Sequence, residues 1–167
     1  MGLDITAYKR MKKVGTAESW DEYEDKFDWS TTFYFSGQPN KCYTEKAHGV
    51  DENSVYEYED CFGFYAGSYS GYNQWRNWLS ETFIGISAHD VWNNAEKYEE
   101  SPFYHLVNFS DCEGTIGTEV SANLSIDFAA HQDEVDALDC EEWLKEKYTS
   151  WRKAFEMAAD GGCINFS

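Results

Sequence analysis

Two short stretches of the chain concentrate side chains that could do chemistry. The first is Gly67-Ser68-Tyr69-Ser70-Gly71-Tyr72-Asn73-Gln74-Trp75-Arg76. Its glycines allow close backbone approach to a ligand and positive φ. Ser68 and Ser70 offer hydroxyls, and one of them is placed to cap a following helix. The first turn of such a helix points unpaired N–H groups outward, which favours an anionic group. Arg76 comes about one and a half turns later, on the side that reaches an anion held at that end. Tyr69, Tyr72 and Trp75 could stack on a flat ring, and Asn73 adds an amide. Together these residue types suit a nucleotide or another phosphate-bearing small molecule. The structural alternative is ordinary capping by Ser-x-Gly, a core face carrying Tyr72 and Trp75, and Arg76 paired with Asp or Glu.

The second stretch is Asn108-Phe109-Ser110-Asp111-Cys112-Glu113-Gly114, with an amide, a hydroxyl, two carboxylates and a thiol in one turn-like run. Asn108 and Ser110 could hydrogen-bond a ligand, while Asp111 or Glu113 grips a ribose hydroxyl or pairs with Arg76. The competing reading is an Asx turn made by Asp111, with Glu113 in solvent. Carboxylates one residue apart could hold a divalent cation, but no EF-hand spacing follows. Arg152 lies farther along the chain and could join Arg76 in clamping an anion. Cys112 has no His placed locally to activate it as a nucleophile. His48, His89, His105 and His131 are scattered, and none forms a pair at zinc spacing. No Walker loop, dinucleotide fingerprint or nucleophile elbow occurs, so no metal, cofactor or catalytic residue is expected.

These stretches depend on elements that the hydrophobic pattern outlines. Leu3–Tyr8 alternates as a strand does, followed by the basic Lys9–Lys13 cluster. The opening Met-Gly-Leu-Asp-Ile-Thr also matches an N-myristoylation pattern with Gly2 as acceptor, but the strand is the expected reading. Residues 14–30 show no clear period and are expected to be loop. Thr31–Phe35, Val55–Tyr58 and Phe62–Tyr65 are strand candidates, the first ending at the turn Ser36-Gly37-Gln38-Pro39-Asn40. A helix is predicted after Gly67–Gly71, with Tyr72, Trp75, Leu79 and Phe83 on one face. A weaker helix is expected over Asp90–Glu100, and Phe103–Phe109 reads as a buried strand or a short helix. A further helix over Thr118–Gln132 carries Val120, Leu124 and Phe128. The clearest helix is Asp139–Asp160, where Leu144, Tyr148, Trp151, Phe155 and Ala158 form a core-facing stripe. Gly161-Gly162 supplies a left-handed stop, and Cys163–Phe166 a final strand. The fold class expected is α+β: one domain, a small mostly antiparallel sheet packed with about four helices.

Composition narrows the partners. The chain has 167 residues and a formal net charge of −18, with 18% aromatic residues. That much Tyr, Trp and Phe suits a core together with an interface or stacking pocket, and a homo-oligomer is expected. Residues 47–144 hold twenty acids and two bases, Arg76 and Lys97, so the imbalance lies there. Such a field repels nucleic-acid polymers and anionic membranes. Its neutral explanation is a solubilising surface; a sharper one is an acidic face that docks on a basic partner or imitates DNA. Five cysteines, an odd count without C-x-x-C or a preceding signal peptide, suggest a reducing cytoplasm with free, mostly buried thiols. No apolar run approaches the length of a membrane span.

The stretches Met1–Tyr8, Gly67–Arg76, Asn108–Gly117 and Trp151–Gly162 resemble a family of small proteins encoded by bacteriophages and bacterial genomes. Its members carry M-G-L-D-I-x-A-Y, G-S-Y-S-G-Y-N-x-W-R, N-F-S-D-C-E-G-x-I-G and W-R-x-A-F-E-x-A-A-x-G-G in this order. Residues 14–60 and 80–100 show no such match. The resemblance implies a viral origin, hence a host-cell cytoplasm, and implies that these segments work as one site. It implies no chemistry.

The expected function is therefore a phage-encoded, non-enzymatic binder that sequesters a nucleotide-derived immune signal and blocks a host anti-phage defence system. Its ligand contacts would be Ser68, Tyr69, Ser70, Tyr72, Asn73, Arg76, Asn108, Ser110, Asp111, Glu113 and Arg152. The alternative is an acidic DNA mimic or protein–protein inhibitor of a host defence protein. A third possibility is a hydrolase using Asp111 or Glu113 as general base, although carboxylates one residue apart tend to diverge.

Overall fold

Strand β1 (Gly2–Lys9) forms because its residues alternate, and the alternation decides what each face meets. A computed structural model describes residues 2–167; Met1, which opens the first family motif, lies outside them. Leu3, Ile5 and Ala7 point to one side and are fully buried, while Tyr8 points to the other. The remaining elements, in chain order, are β2 (Lys12–Thr16), α1 (Trp20–Lys26), β3 (Thr32–Tyr34), β4 (Ser54–Glu57), β5 (Asp60–Ser68), α2 (Tyr69–Phe83), α3 (Ala88–Asn93), α4 (Ala95–Tyr98), α5 (Tyr104–Val107), β6 (Gly114–Ile116), α6 (Thr118–Ala130), α7 (Gln132–Ala137), α8 (Glu142–Ala158) and β7 (Cys163–Phe166). A short 3-10 turn over Thr44–Ala47 follows β3.

The strands make two antiparallel sheets, a four-stranded one in the order β5-β1-β7-β6 and a three-stranded one in the order β2-β4-β3. The architecture is α+β, as expected, with two small sheets in place of one and four main helices. Helices α2, α6 and α8 cover one face of the larger sheet. The stripe Leu144, Tyr148, Trp151, Phe155 and Ala158 of α8 is buried as its spacing requires. Trp151 stacks on Trp75 of α2 at a centroid distance of 5.7 Å and meets Phe166 of β7 at 5.5 Å. Phe128 of α6 lies 4.8 Å from the Tyr148 ring, whose hydroxyl donates to the Phe128 carbonyl.

The smaller sheet covers the opposite face. Tyr8 stacks on Phe33 at 3.9 Å, and Phe35, Val50 and Tyr56 close over Cys163. The outer face of that sheet, through Tyr34 and Val55, packs on Tyr23 of α1. Residues 14–30, expected to be loop, thus hold part of β2 and the whole of α1. The helix is only seven residues long, too short for an apolar period to emerge, and Ser19 caps it by accepting from the Glu22 N–H. The expected Asp90–Glu100 helix is broken at Asn94 into α3 and α4, and the helix after Thr118 ends at Ala130 before α7 begins.

At the end of α8, Gly161 takes φ +65°, as the left-handed stop predicted. Gly162 is needed for a different reason: a Cβ there would run into the Tyr8 carbonyl of β1. This lets β7 enter the sheet between β1 and β6. No helix among the described residues is long and apolar enough to cross a membrane.

Candidate functional site

The two predicted stretches do meet, but inside the protein. Strand β5 runs as far as Ser68 and passes into α2 without an intervening loop, so the segment is a strand-to-helix junction. Gly67 makes the change of direction at φ +129°, and Ser68 caps the helix by accepting from the Gly71 N–H at 3.1 Å. Ser70 is exposed beside it, its hydroxyl 3.1 Å from that of Ser68, and Tyr69 is half-buried against the core. Tyr72 and Trp75 are fully buried, so neither can stack on a ligand. Burial pushes the Tyr72 phenol up to about 12, the nearby Arg76 charge opposing it.

Arg76 is 2% exposed. Its guanidinium lies over the rings of Tyr72 and Trp92, at 5.0 and 4.7 Å. It donates to the Phe109 carbonyl at 2.5 Å and to the side-chain oxygen of Asn73. Asn73 in turn donates to Asp111 at 2.7 Å. Asp111 thus reaches Arg76 through an amide, where direct pairing or a ribose contact was expected. A cation held on a carbonyl, an amide oxygen and two rings is desolvated and partnered within the protein, although its buried Nε has no hydrogen-bond partner. Both of its partners on α2, Tyr72 and Asn73, lie about one turn back toward the helix N-terminus. Arg152 is placed elsewhere, donating to Glu156 and Gln132, so the expected Arg76–Arg152 clamp does not form.

A second buried cation stands on the same segment. Lys46, 3% exposed, donates to the carbonyls of His105 and Asn108 at the end of α5. The rings of Tyr43, Tyr104 and Phe109 surround its ammonium at 4.8, 5.3 and 5.8 Å. Burial pushes its pKa down to about 8, while the carbonyls and ring faces favour the charged form. Tyr43 aims this lysine by adopting the left-handed conformation at φ +61°, a strained choice for a tyrosine, which starts the 3-10 turn. Trp92 takes the Val107 carbonyl at 2.6 Å, and Asn108 donates to the Tyr104 hydroxyl. Consecutive carbonyls at 108 and 109 are therefore held by two different buried cations.

The other side of this anchored segment is open. The chain from Tyr34 to Tyr43 and the chain from Phe109 to Thr115 flank a cleft of about 540 Å³ at the β6 edge of the larger sheet. Trp20, Tyr34, Phe35, Tyr43 and Phe109 give it aromatic walls; Ser36, Gln38, Asn40, Ser110 and Asn165 give it polar groups. Trp20 is 55% exposed and held edge-on to Tyr34 at 5.1 Å. A smaller hollow of about 350 Å³ adjoins it, sharing Trp20, Tyr34, Phe35 and Asn165 and adding the exposed Trp29. Asn40 serves the cleft as a strut. Its side chain accepts from the Thr115 N–H at 2.6 Å and donates to the Thr115 carbonyl at 2.8 Å, completing the edge of β6 as a neighbouring strand would.

Of the residues expected at a site, Ser110 and Glu113 line this cleft. Ser110 accepts from the N–H groups of Cys112 and Glu113 at 3.3 and 3.2 Å and shapes the turn. Glu113 is exposed, 3.7 Å from Lys41. The cleft's aromatic wall was missed because Trp20 falls in a segment without period and Gln38 and Asn40 read only as turn residues. The usable signal was the density of aromatics flanking that turn. The cysteines also depart from expectation: Cys42, Cys61 and Cys112 are exposed, Cys140 is half-buried and Cys163 alone is fully buried. All five are free. No group of three or more metal-ligating side chains occurs among the described residues. Compared with family models, curated proteins and solved structures, the chain matches none.

Proposed function

We propose that the protein is a non-enzymatic binder that captures a nucleotide-derived small molecule in the cleft between Tyr34–Tyr43 and Phe109–Thr115. The observation that supports this most directly is the cleft's wall. It sets the exposed ring of Trp20 and the half-exposed ring of Tyr43 beside amides and hydroxyls, the combination that stacks a flat base and reads its edge. Lys41 and Glu113 pair at its mouth and leave the opening close to neutral. Behind the wall, Lys46 lies against the rings of Tyr43 and Phe109, and Arg76 holds the Phe109 carbonyl. Their charges offset the acidic field that would otherwise oppose a phosphate. The setting proposed with it is that of a phage-encoded protein that withholds an immune signal from a host defence system, and this part rests on the sequence resemblance.

Incubation with cyclic dinucleotides and ADP-ribose-type compounds, followed by heat denaturation and chromatography of the supernatant, tests capture. The expected result is depletion of one compound before denaturation and its recovery unaltered afterwards. Recovery of an altered compound would make the protein an enzyme. Depletion of none would remove the small-molecule reading.

One observation favours a second reading, in which the acidic surface docks on a basic protein. With Arg76 buried, Lys97 is the only exposed base between residues 47 and 144, against twenty acids. Association that weakens steeply with added salt is the expected signature of that partner.

A further inference from the structure

Each lip of the cleft carries an exposed thiol, Cys42 on one and Cys112 on the other. The lips run in opposite directions with a readable register. Asn40 holds the backbone of Thr115 through its side chain. Lys41 Nζ comes within 3.7 Å of a Glu113 carboxylate oxygen. The Tyr43 and Phe109 rings lie 5.7 Å apart. Cys42 falls between Lys41 and Tyr43, and Cys112 between Phe109 and Glu113, so both cysteines lie between the same two cross-lip contacts. The other cysteines stand apart. Cys163 is buried beneath the smaller sheet, which pushes its thiol pKa up. Cys140 is half-buried just before α8, and Cys61 is on β5, at the opposite edge of the larger sheet from β6.

We infer that Cys42 and Cys112 form a reversible dithiol–disulfide pair that bridges the mouth of the cleft. The reaction is thiol–disulfide exchange with a low-molecular-weight disulfide such as glutathione disulfide. One protein thiolate attacks that disulfide, its S–S bond breaks, and one small thiol leaves with a proton. The second protein thiolate then attacks the protein sulfur of the mixed disulfide and releases the second small thiol. Two protein thiols are oxidised to one disulfide, and one small disulfide is reduced to two thiols. The bond requires Cα atoms within about 7 Å of each other, so it ties the 36–43 segment to the 109–115 segment. The aromatic mouth then has a fixed width under oxidising conditions and an adjustable one under reducing conditions.

The full chain is incubated with glutathione disulfide, free thiols are blocked by alkylation, and the products are mapped by peptide mass spectrometry. The expected result is loss of two alkylatable thiols out of five, with a Cys42–Cys112 linked peptide that dithiothreitol abolishes. Amides of residues 36–43 exchange hydrogen more slowly in the oxidised form. Cys42→Ser and Cys112→Ser each carry one glutathione on the remaining lip cysteine and form no internal bond, whereas Cys61→Ser behaves as the parent chain. Separate glutathione adducts on both Cys42 and Cys112 in the parent chain would overturn the pairing. So would a bond from either to Cys61 or to a second chain.

Discussion

The segment Asn108–Gly114 faces two ways, and its faces differ in what they leave free. Toward the core, its carbonyls at 108 and 109 are taken by Lys46 and Arg76, and Asp111 is tied to Asn73. Toward the 34–43 chain, Ser110, Cys112 and Glu113 line an open cleft. The first face holds the rarer chemistry, a buried guanidinium and a buried ammonium, yet those groups already have partners. The second holds plainer side chains with room beside them. A cation whose donors are occupied by protein groups stabilises a fold; one beside unfilled space can bind. By that measure the buried joint is scaffold and the cleft is the proposed site.

The largest effect that would break this comparison is at Arg76. Arg76→Leu leaves the Phe109 carbonyl and the Asn73 oxygen without their donor, at a cost of about 3 kcal/mol read from a urea unfolding midpoint. An unchanged midpoint combined with lost ligand capture would return Arg76 to the site. Lys46 is next, and its signature is pH dependence. Its folded pKa, lowered to about 8, lies below the ordinary lysine value of 10.5. Between those values the unfolded chain binds the proton more tightly, so this group makes stability rise with pH. The buried Cys163 thiol, raised from an ordinary value of 9.0, opposes the rise above pH 9, and the buried phenols of Tyr8, Tyr72 and Tyr148 oppose it above pH 10, so the clear window is pH 8 to 9. Lys46→Met should remove that rise; a variant whose unfolding midpoint keeps the parent's slope across the window would show that Lys46 stays charged.

Trp20 sharpens the other side of the comparison. Trp20→Ala should weaken capture about tenfold, as loss of one stacking wall does, and shift the unfolding midpoint by less than about 1 kcal/mol. Equal loss of binding and stability would make Trp20 a packing residue. The smallest effect is at the α2 cap: Ser68→Ala should cost about 1 kcal/mol of stability and leave capture unchanged. A drop in affinity without a drop in stability would reopen the helix N-terminus as a ligand contact.

Much of this was legible in the residue order. The period in Leu144–Ala158 predicted the face of α8, the alternation in Leu3–Tyr8 predicted β1, and Gly161-Gly162 marked the stop between α8 and β7. Each is a local rule acting over many residues. Helix α1 was not legible, because seven residues carry too few turns to show a period. The cleft was not legible either, since it is assembled from Trp20, the 34–43 chain, the 109–115 chain and Asn165, far apart in sequence.

Arg76 shows the division most clearly. The residue order alone determined that it is one of two bases in the acidic stretch 47–144, on a helix beginning near Gly71, and that the Asn108–Gly114 stretch was a fitting partner. Only the tertiary structure decided the direction in which its guanidinium points and what it meets there: the Phe109 carbonyl, Asn73 and two aromatic rings. The reason is physical. Helical spacing assigns a side chain to a face, whereas hydrogen-bond partners are set by whichever distant backbone groups are buried without a donor when the core closes.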